Sequence, residues 1–313
     1  DCQFSPPHEF NVNVPQTLAV ARNDSYAAYA WPRTCAGLFA RNGLVISLIA
    51  AASIAAFILG FAAYHDKQIL FGVHTGPGAF YRLMPHNAMA ALFGAVFLYA
   101  VVAIVMGVRT FWRDIGEPVG MKADAGSLLQ AIRDAGELRY LDGGGVGCFN
   151  EDDRPTDRRR LYHHFTFYGF LLCFASTSVA TLYHYLLARE APYAWWDLPV
   201  VLGTLGGIGL LVGPLGLLAE KWKRSPVLVD RERLGMDTAF IVMLFLTGLT
   251  GMALLLLRAT SAMGPLLALH LGVVFALFLT LPYGKFIHGI YRFAALVRYA
   301  RERRMMGHGT ASE

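Results

Sequence analysis

Six apolar runs constrain this 313-residue chain more than any other feature. They fall at about 43–64, 87–108, 162–187, 198–220, 236–258 and 265–292, each near the roughly 20 residues a helix needs to cross a bilayer. In hydrocarbon every backbone N–H and C=O must find its partner within the chain, so runs of this length form helices. The sequence therefore predicts an all-α, polytopic membrane helix bundle with about six transmembrane helices. Hydrophobic residues make up 55% of the chain and charged residues 16%, which excludes an ordinary soluble domain.

Charge alternates between the loops. Segment 109–160 carries Arg109, Arg113, Lys122, Arg133, Arg139, Arg154 and the run Arg158, Arg159, Arg160. Segment 221–233 and the tail after 298 are also basic, while the opposite loops hold little beyond Lys67, Arg82 and Arg189. The positive-inside rule then puts both termini and the 109–160 loop on the cytoplasmic side of the membrane. Trp195, Trp196 and Tyr193 fall at the outer interface. These loop arginines account for the net charge of +5, so it does not point to nucleic acid. The long loop contains a short amphipathic helix at about 128–138, then LDGGGVGCFNEDDRP. That glycine run lacks the Lys-Ser/Thr of a phosphate loop and reads as a tight turn. The run at 198–220 is rich in small residues, which favours close helix packing. The run at 236–258 has no polar centre apart from threonines and reads as structural.

Four cysteines, Cys2, Cys35, Cys148 and Cys173, show no paired spacing and define neither a disulfide framework nor a zinc motif. Cys2 is followed closely by prolines, as the last ligand of a ferredoxin-type cluster motif often is. The chain begins at Asp1 without a methionine, and an upstream segment is expected.

Ten histidines occur, and their positions matter more than their number. His8, His65, His74 and His308 lie in loops or tails, where solvated roles suffice. His86 opens the second run on the outer side. His163 and His164 open the third on the inner side, and His184 closes it outside. His270 and His288 mark the outer and inner ends of the sixth run. They are 18 residues apart, about five whole turns at about 3.6 residues per turn, so one continuous helix would aim both to the same side. Pro282 is expected to kink that helix just before His288. Ionisable residues in membrane helices are rare and mark function. Pairing the inner ends, His163 or His164 with His288, and the outer ends, His184 with His270, makes two bis-histidine sites for haem b. His163 and His184 are 21 residues apart, three heptads, which favours His163 over His164. A proton relay or a clustered metal site fits less well. The runs hold almost no carboxylates beyond Asp197 and Asp237 near their ends, and the histidines lie at different depths.

The pattern HLGVVFALFLTLPYGKFIH resembles the last helix of the respiratory nitrate reductase gamma subunit, a b-type cytochrome. The third to sixth runs resemble that subunit's four-helix core. The resemblance implies that His270 and His288 ligate two b haems. Where that family has a second histidine about ten residues after His163, this chain has Cys173 and Phe174, so His184 is the expected outer ligand and His86 the reserve. Over almost the whole chain, the segments CQFSPPHEFNVNVP, LRYLDGGGVGCFNEDDRP, RRRLYHHFTFYGFLLCF and ALHLGVVFALFLTLPYGKFIHGIYRFAAL resemble the tricarballylate/citrate utilisation protein B family. That resemblance implies two [4Fe-4S] clusters in an N-terminal ferredoxin-like part, with Cys2 the last ligand of the second. It also implies an FAD-dependent tricarballylate dehydrogenase as partner and a membrane quinone as electron acceptor.

The expected organisation is then an iron–sulfur remnant and linker (1–42) and two N-terminal transmembrane helices (43–108). A cytoplasmic loop (109–160), a four-helix di-haem core (161–297) and a basic tail (298–313) follow. Basic residues at the inner interface, Arg160, Lys285 and Arg292, are candidates to pair with haem propionates or to act as positive-inside anchors. The expected role is an oxidoreductase component that carries electrons, rather than a stand-alone enzyme. The rival readings are a tricarboxylate transporter, which predicts a polar cavity at mid-membrane, and a purely structural anchor for a dehydrogenase.

Overall fold

A computed structural model describes residues 9–116, 124–141, 148–149, 155–223, 230 and 234–309. Cys2, His8, Lys122, most of the glycine-rich stretch and part of the basic 221–233 loop lie outside the described residues, as do the side chains of Cys148 and His308. The helices are α1 (Val14–Ala28), α2 (Asn42–Tyr64), the single-turn α3 (Lys67–Leu70), α4 (His86–Asp114) and α5 (Ala125–Gly136). They continue as α6 (Arg158–Leu187), α7 (Leu198–Trp222), α8 (Leu234–Leu257), α9 (Met263–Thr280) and α10 (Ile287–Gly309). One two-residue antiparallel pairing, Cys148–Phe149 with Pro155–Thr156, ties the long loop before α6. Six of the helices, α2, α4 and α6 to α9, are long and apolar enough to cross a membrane. The expected spans agree with them to within a few residues, except at the end of the sixth.

There the structure corrects the sequence reading. The stretch 265–292 is not one helix. α9 stops at Thr280, a 3-10 turn covers Leu281–Tyr283, Gly284 is extended, and α10 starts afresh at Ile287. Pro282 has no N–H to donate, and its ring crowds the carbonyl four residues back. The expected kink is thus a complete break. Neighbouring elements hold it: the Asn42 side-chain amide of α2 donates to the Tyr283 carbonyl. The Tyr283 hydroxyl donates to the Trp31 carbonyl at 3.0 Å and meets the Tyr99 hydroxyl of α4. His270 and His288 therefore sit on different helices, and the common stripe does not exist.

Glycines set the packing. A Cβ at Gly169 of α6 would lie 2.9 Å from backbone of Gly209 on α7, and one at Gly206 would lie 2.7 Å from the Cys173 backbone. Only bare backbones come this close, so α6 lies flush along α7. α9 instead packs on α2 and α8, and α4 lies against it. The main apolar core joins Ile46 of α2, Leu210 of α7, Met243 and Leu244 of α8, and Val273 and Leu277 of α9. α2 is thus built into the core rather than standing beside it. α6 and α9 do not pack closely on each other, and a gap remains between them. At one end of the bundle α1, α5 and α10 form a further tier. Tyr26 of α1 stacks on Tyr291 of α10 with ring centres 6.0 Å apart.

Candidate functional site

The gap between α6 and α9 holds the chemistry. At its inner end His163, near the start of α6, faces His288, in the first turn of α10. Their ring centres are 6.1 Å apart and the rings are tilted by 57°. Two imidazoles whose nitrogens each lie about 2.0 Å from one metal ion have ring centres about 6 Å apart. His164 turns away and stacks on Tyr168 at 5.9 Å. The structure thus brings His163, not His164, to His288.

His288 is oriented for ligation. Its Nδ1 meets the Lys285 carbonyl, which can only accept, so the proton sits on Nδ1 and Nε2 keeps its lone pair. Tying back the second ring nitrogen in this way is what ligating histidines require. Burial, then the nearby Lys285 ammonium, push the His288 pKa down to about 4, so the ring is neutral at physiological pH. Lys285 pairs with Asp237 of α8 at 2.9 Å. Arg160 pairs with Asp157 at 3.2 Å, while Arg292 and Arg159 lie near enough to His163 to act on it electrostatically. The His163 Nδ1 is buried with no hydrogen-bond partner among the described residues.

Further along the gap is a cavity of about 290 Å³. α9 contributes His270, Val274 and Phe278 to its wall, and α6 contributes Phe170, Cys173 and Thr177. Glycines of α7 and α8, Gly203, Gly207, Gly248 and Gly251, open its remaining sides. Arg258 stands at its mouth, donating to the Tyr193 carbonyl at 2.7 Å and lying 4.3 Å above the Trp195 ring. The His270 Nδ1 is 2.9 Å from the Thr250 hydroxyl, which is 2.7 Å from the Leu246 carbonyl. One hydroxyl proton satisfies both contacts only if Thr250 donates to Leu246 and accepts from His270. Nδ1 therefore carries the proton here too, and Nε2 is left as a lone-pair donor. Threonine in α8 reads as structural from sequence; its signal is its place on the helix packed against the histidine-bearing one.

The outer histidines are arranged differently from the sequence expectation. His184 does not line the His270 cavity. It stacks on the reserve residue His86 with ring centres 3.5 Å apart and planes 19° from parallel. That spacing is too short for a metal held between the rings. Tyr81 stands edge-on to both, at 5.2 and 5.5 Å. Two of the loop histidines have backbone partners: half-buried His65 and buried His74 each place Nε2 2.7 Å from a carbonyl, of Leu83 and Ile69 respectively. Among the described residues no three His, Cys, Asp or Glu side chains form a metal-holding group.

The donor set of the gap is neutral imidazole in an apolar helix bundle, which suits haem iron better than a hard cation or clustered zinc. Fold and site together define a multi-helix protein with six membrane-length helices and paired or buried histidines inside its bundle. The sequence profile described as Citrate utilization protein B matches residues 37–309, and the chain belongs to that family. A protein of Escherichia coli described as Citrate utilization protein B is 49% identical over 304 residues, covering 97% of this chain and 79% of the relative. No solved structure matches the chain.

Proposed function

We propose that this chain is the membrane electron carrier of a tricarboxylate-utilisation system. Electrons come from a cytoplasmic flavoprotein dehydrogenase through [4Fe-4S] clusters, one of them ligated by Cys2, and leave to the quinone pool. The single observation that carries this reading is the His163–His288 pair, 6.1 Å between ring centres, with the His288 Nδ1 tied to a backbone carbonyl. A b haem bound there supplies reversible one-electron chemistry. His163 and His288 would hold it through their ring nitrogens, and Arg159 and Arg292 would supply positive charge for its carboxylates. His270 offers Nε2 to a second group in the α6–α9 cavity, with Arg258 at the mouth. Both ends of the chain face the cytoplasm, because six crossings return it to the side where the basic loops lie. The relative's description as a citrate utilization protein supports a partner that acts on a citrate-like carboxylate.

The transporter reading needs a polar chamber at mid-membrane. The α6–α9 cavity has instead mainly apolar side chains and glycines on its wall. The test is a reduced-minus-oxidised spectrum of the chain purified from cells supplied with haem, with haem counted per chain. A b-type band is expected; its absence would falsify the reading.

A further inference from the structure

α5 is amphipathic the wrong way round for a helix in water. The side that meets α10 is small and polar, with Ser127, Ala131 and Asp134 all buried. The opposite side is apolar and exposed: Leu128 is 46% accessible, Leu129 69% and Ile132 52%. At about 100° per residue these three, with Ala125, share one face, and Arg133 marks its edge. Asp134 explains the inversion on the buried side. It takes hydrogen bonds from Gln130 at 2.9 Å and Arg139 at 3.3 Å, so its burial is compensated.

The position of α5 says what covers its leucines. Its last residue, Gly136, accepts a hydrogen bond at 2.8 Å from the Tyr168 hydroxyl of α6. Tyr168 lies ten residues into that membrane-length helix, about 15 Å from its start. The outward side chains around it, Leu161, Phe165 and Leu171, are exposed apolar residues of the kind that face lipid. The α5 face therefore continues the lipid-facing surface of α6. Beside it a cleft of about 250 Å³ between α5 and α10 is lined by Gln130, Asp134, Arg139, Tyr299, Arg303 and Arg304. Its lining thus holds three guanidiniums and one carboxylate; Arg139 pairs with that carboxylate, Asp134, at 3.3 Å and Arg304 with Asp124 at 2.6 Å.

We propose that α5 is an interfacial helix, with Leu128, Leu129 and Ile132 in the acyl chains of the cytoplasmic leaflet and an anionic phospholipid head group at the arginine cleft. An apolar helix face beside cationic side chains is the pattern of in-plane membrane helices, and basic clefts on the cytoplasmic side suit anionic head groups. The inference rests on the membrane placement proposed above, and not on haem. Without lipid, the exposed leucine face would be an unshielded patch.

The test uses the full chain with p-benzoylphenylalanine in place of Leu129 or, separately, of Leu171, irradiated in native membranes and in nanodiscs of mixed phosphatidylglycerol and phosphatidylcholine. A phospholipid adduct is expected at both positions. At 129 phosphatidylglycerol should exceed its bilayer share by about fivefold, and R303Q should lower that excess. Lipid captured at 171 but not at 129, or a protein captured at 129, overturns the interfacial helix while leaving the membrane reading intact. Lipid captured at neither position overturns both. Capture at 129 in the bulk lipid ratio overturns the head-group site.

Discussion

Two histidine pairs, at opposite ends of α6, carry the same side chain to opposite effect. At the inner end two imidazoles stand 6.1 Å apart, a separation that leaves a ligating space. At the outer end two imidazoles lie 3.5 Å apart and stacked, which closes that space. The inner pair joins a membrane-length helix to the start of a new one, α10, and its spacing is set by the break before Ile287. The outer pair joins the end of α6 to the beginning of α4, with Tyr81 against both rings. A count of histidines at each depth treats the ends as equivalent. The backbone does not.

The largest effect that would break this contrast comes from His288→Ala or His163→Ala. Each is expected to abolish the low-spin b-type signal of the inner end, read by pyridine haemochrome and electron paramagnetic resonance. His164→Ala should leave that signal in place; equal losses from His163→Ala and His164→Ala would remove the distinction drawn between them. Next is Thr250→Val, which leaves the His270 Nδ1–H without its acceptor in apolar surroundings. A destabilisation of about 1–3 kcal/mol is expected in thermal unfolding, with the inner haem signal unchanged. His86→Ala and His184→Ala should each cost about 0.5–1.5 kcal/mol of stacking and leave haem content unaltered. Loss of haem from His184→Ala would restore the outer pairing read from sequence.

The smallest expected effect is one of pH at the inner tier. Hydrogen bonds from the Ser127 hydroxyl and the Gly126 amide, with the Arg304 guanidinium nearby, hold the Asp124 pKa down to about 2. A carboxylate depressed on folding adds stability that is fully present above its unfolded value, near 4. That contribution fades as pH falls from about 4 through about 2. Protection of the α5 amides, corrected for the intrinsic exchange rate, should therefore fall in this window before that of α9 does, and Asp124→Asn should remove that fall.

Much of this architecture is legible in the chain because hydrocarbon permits few alternatives. Run length and apolarity alone locate six helices, and the small residues of 198–220 foretell the tight α6–α7 seam. Pro282 announces a disturbance, but no local signal says whether a proline bends a helix or ends it. The outcome depends on Asn42, Tyr99 and the Trp31 carbonyl, brought from three distant segments to satisfy the opened backbone. For the same reason the co-facial stripe of His270 and His288 fails. Periodicity is a property of a continuous helix, and this one is interrupted. The His86–His184 stack and the Thr250–His270 contact are tertiary, between residues 98 and 20 positions apart, and no spacing rule encodes them.

An unbroken α-helix behaves as a rod: turning one end turns the other. Residues 281–286 divide that rod in two, and neighbouring segments pin the division on its sides. α10, on which α1 and α5 bear, therefore shares no continuous helical backbone with α9. His288 is thus oriented at the start of α10, by the Lys285 carbonyl, separately from His270, which is held against Thr250.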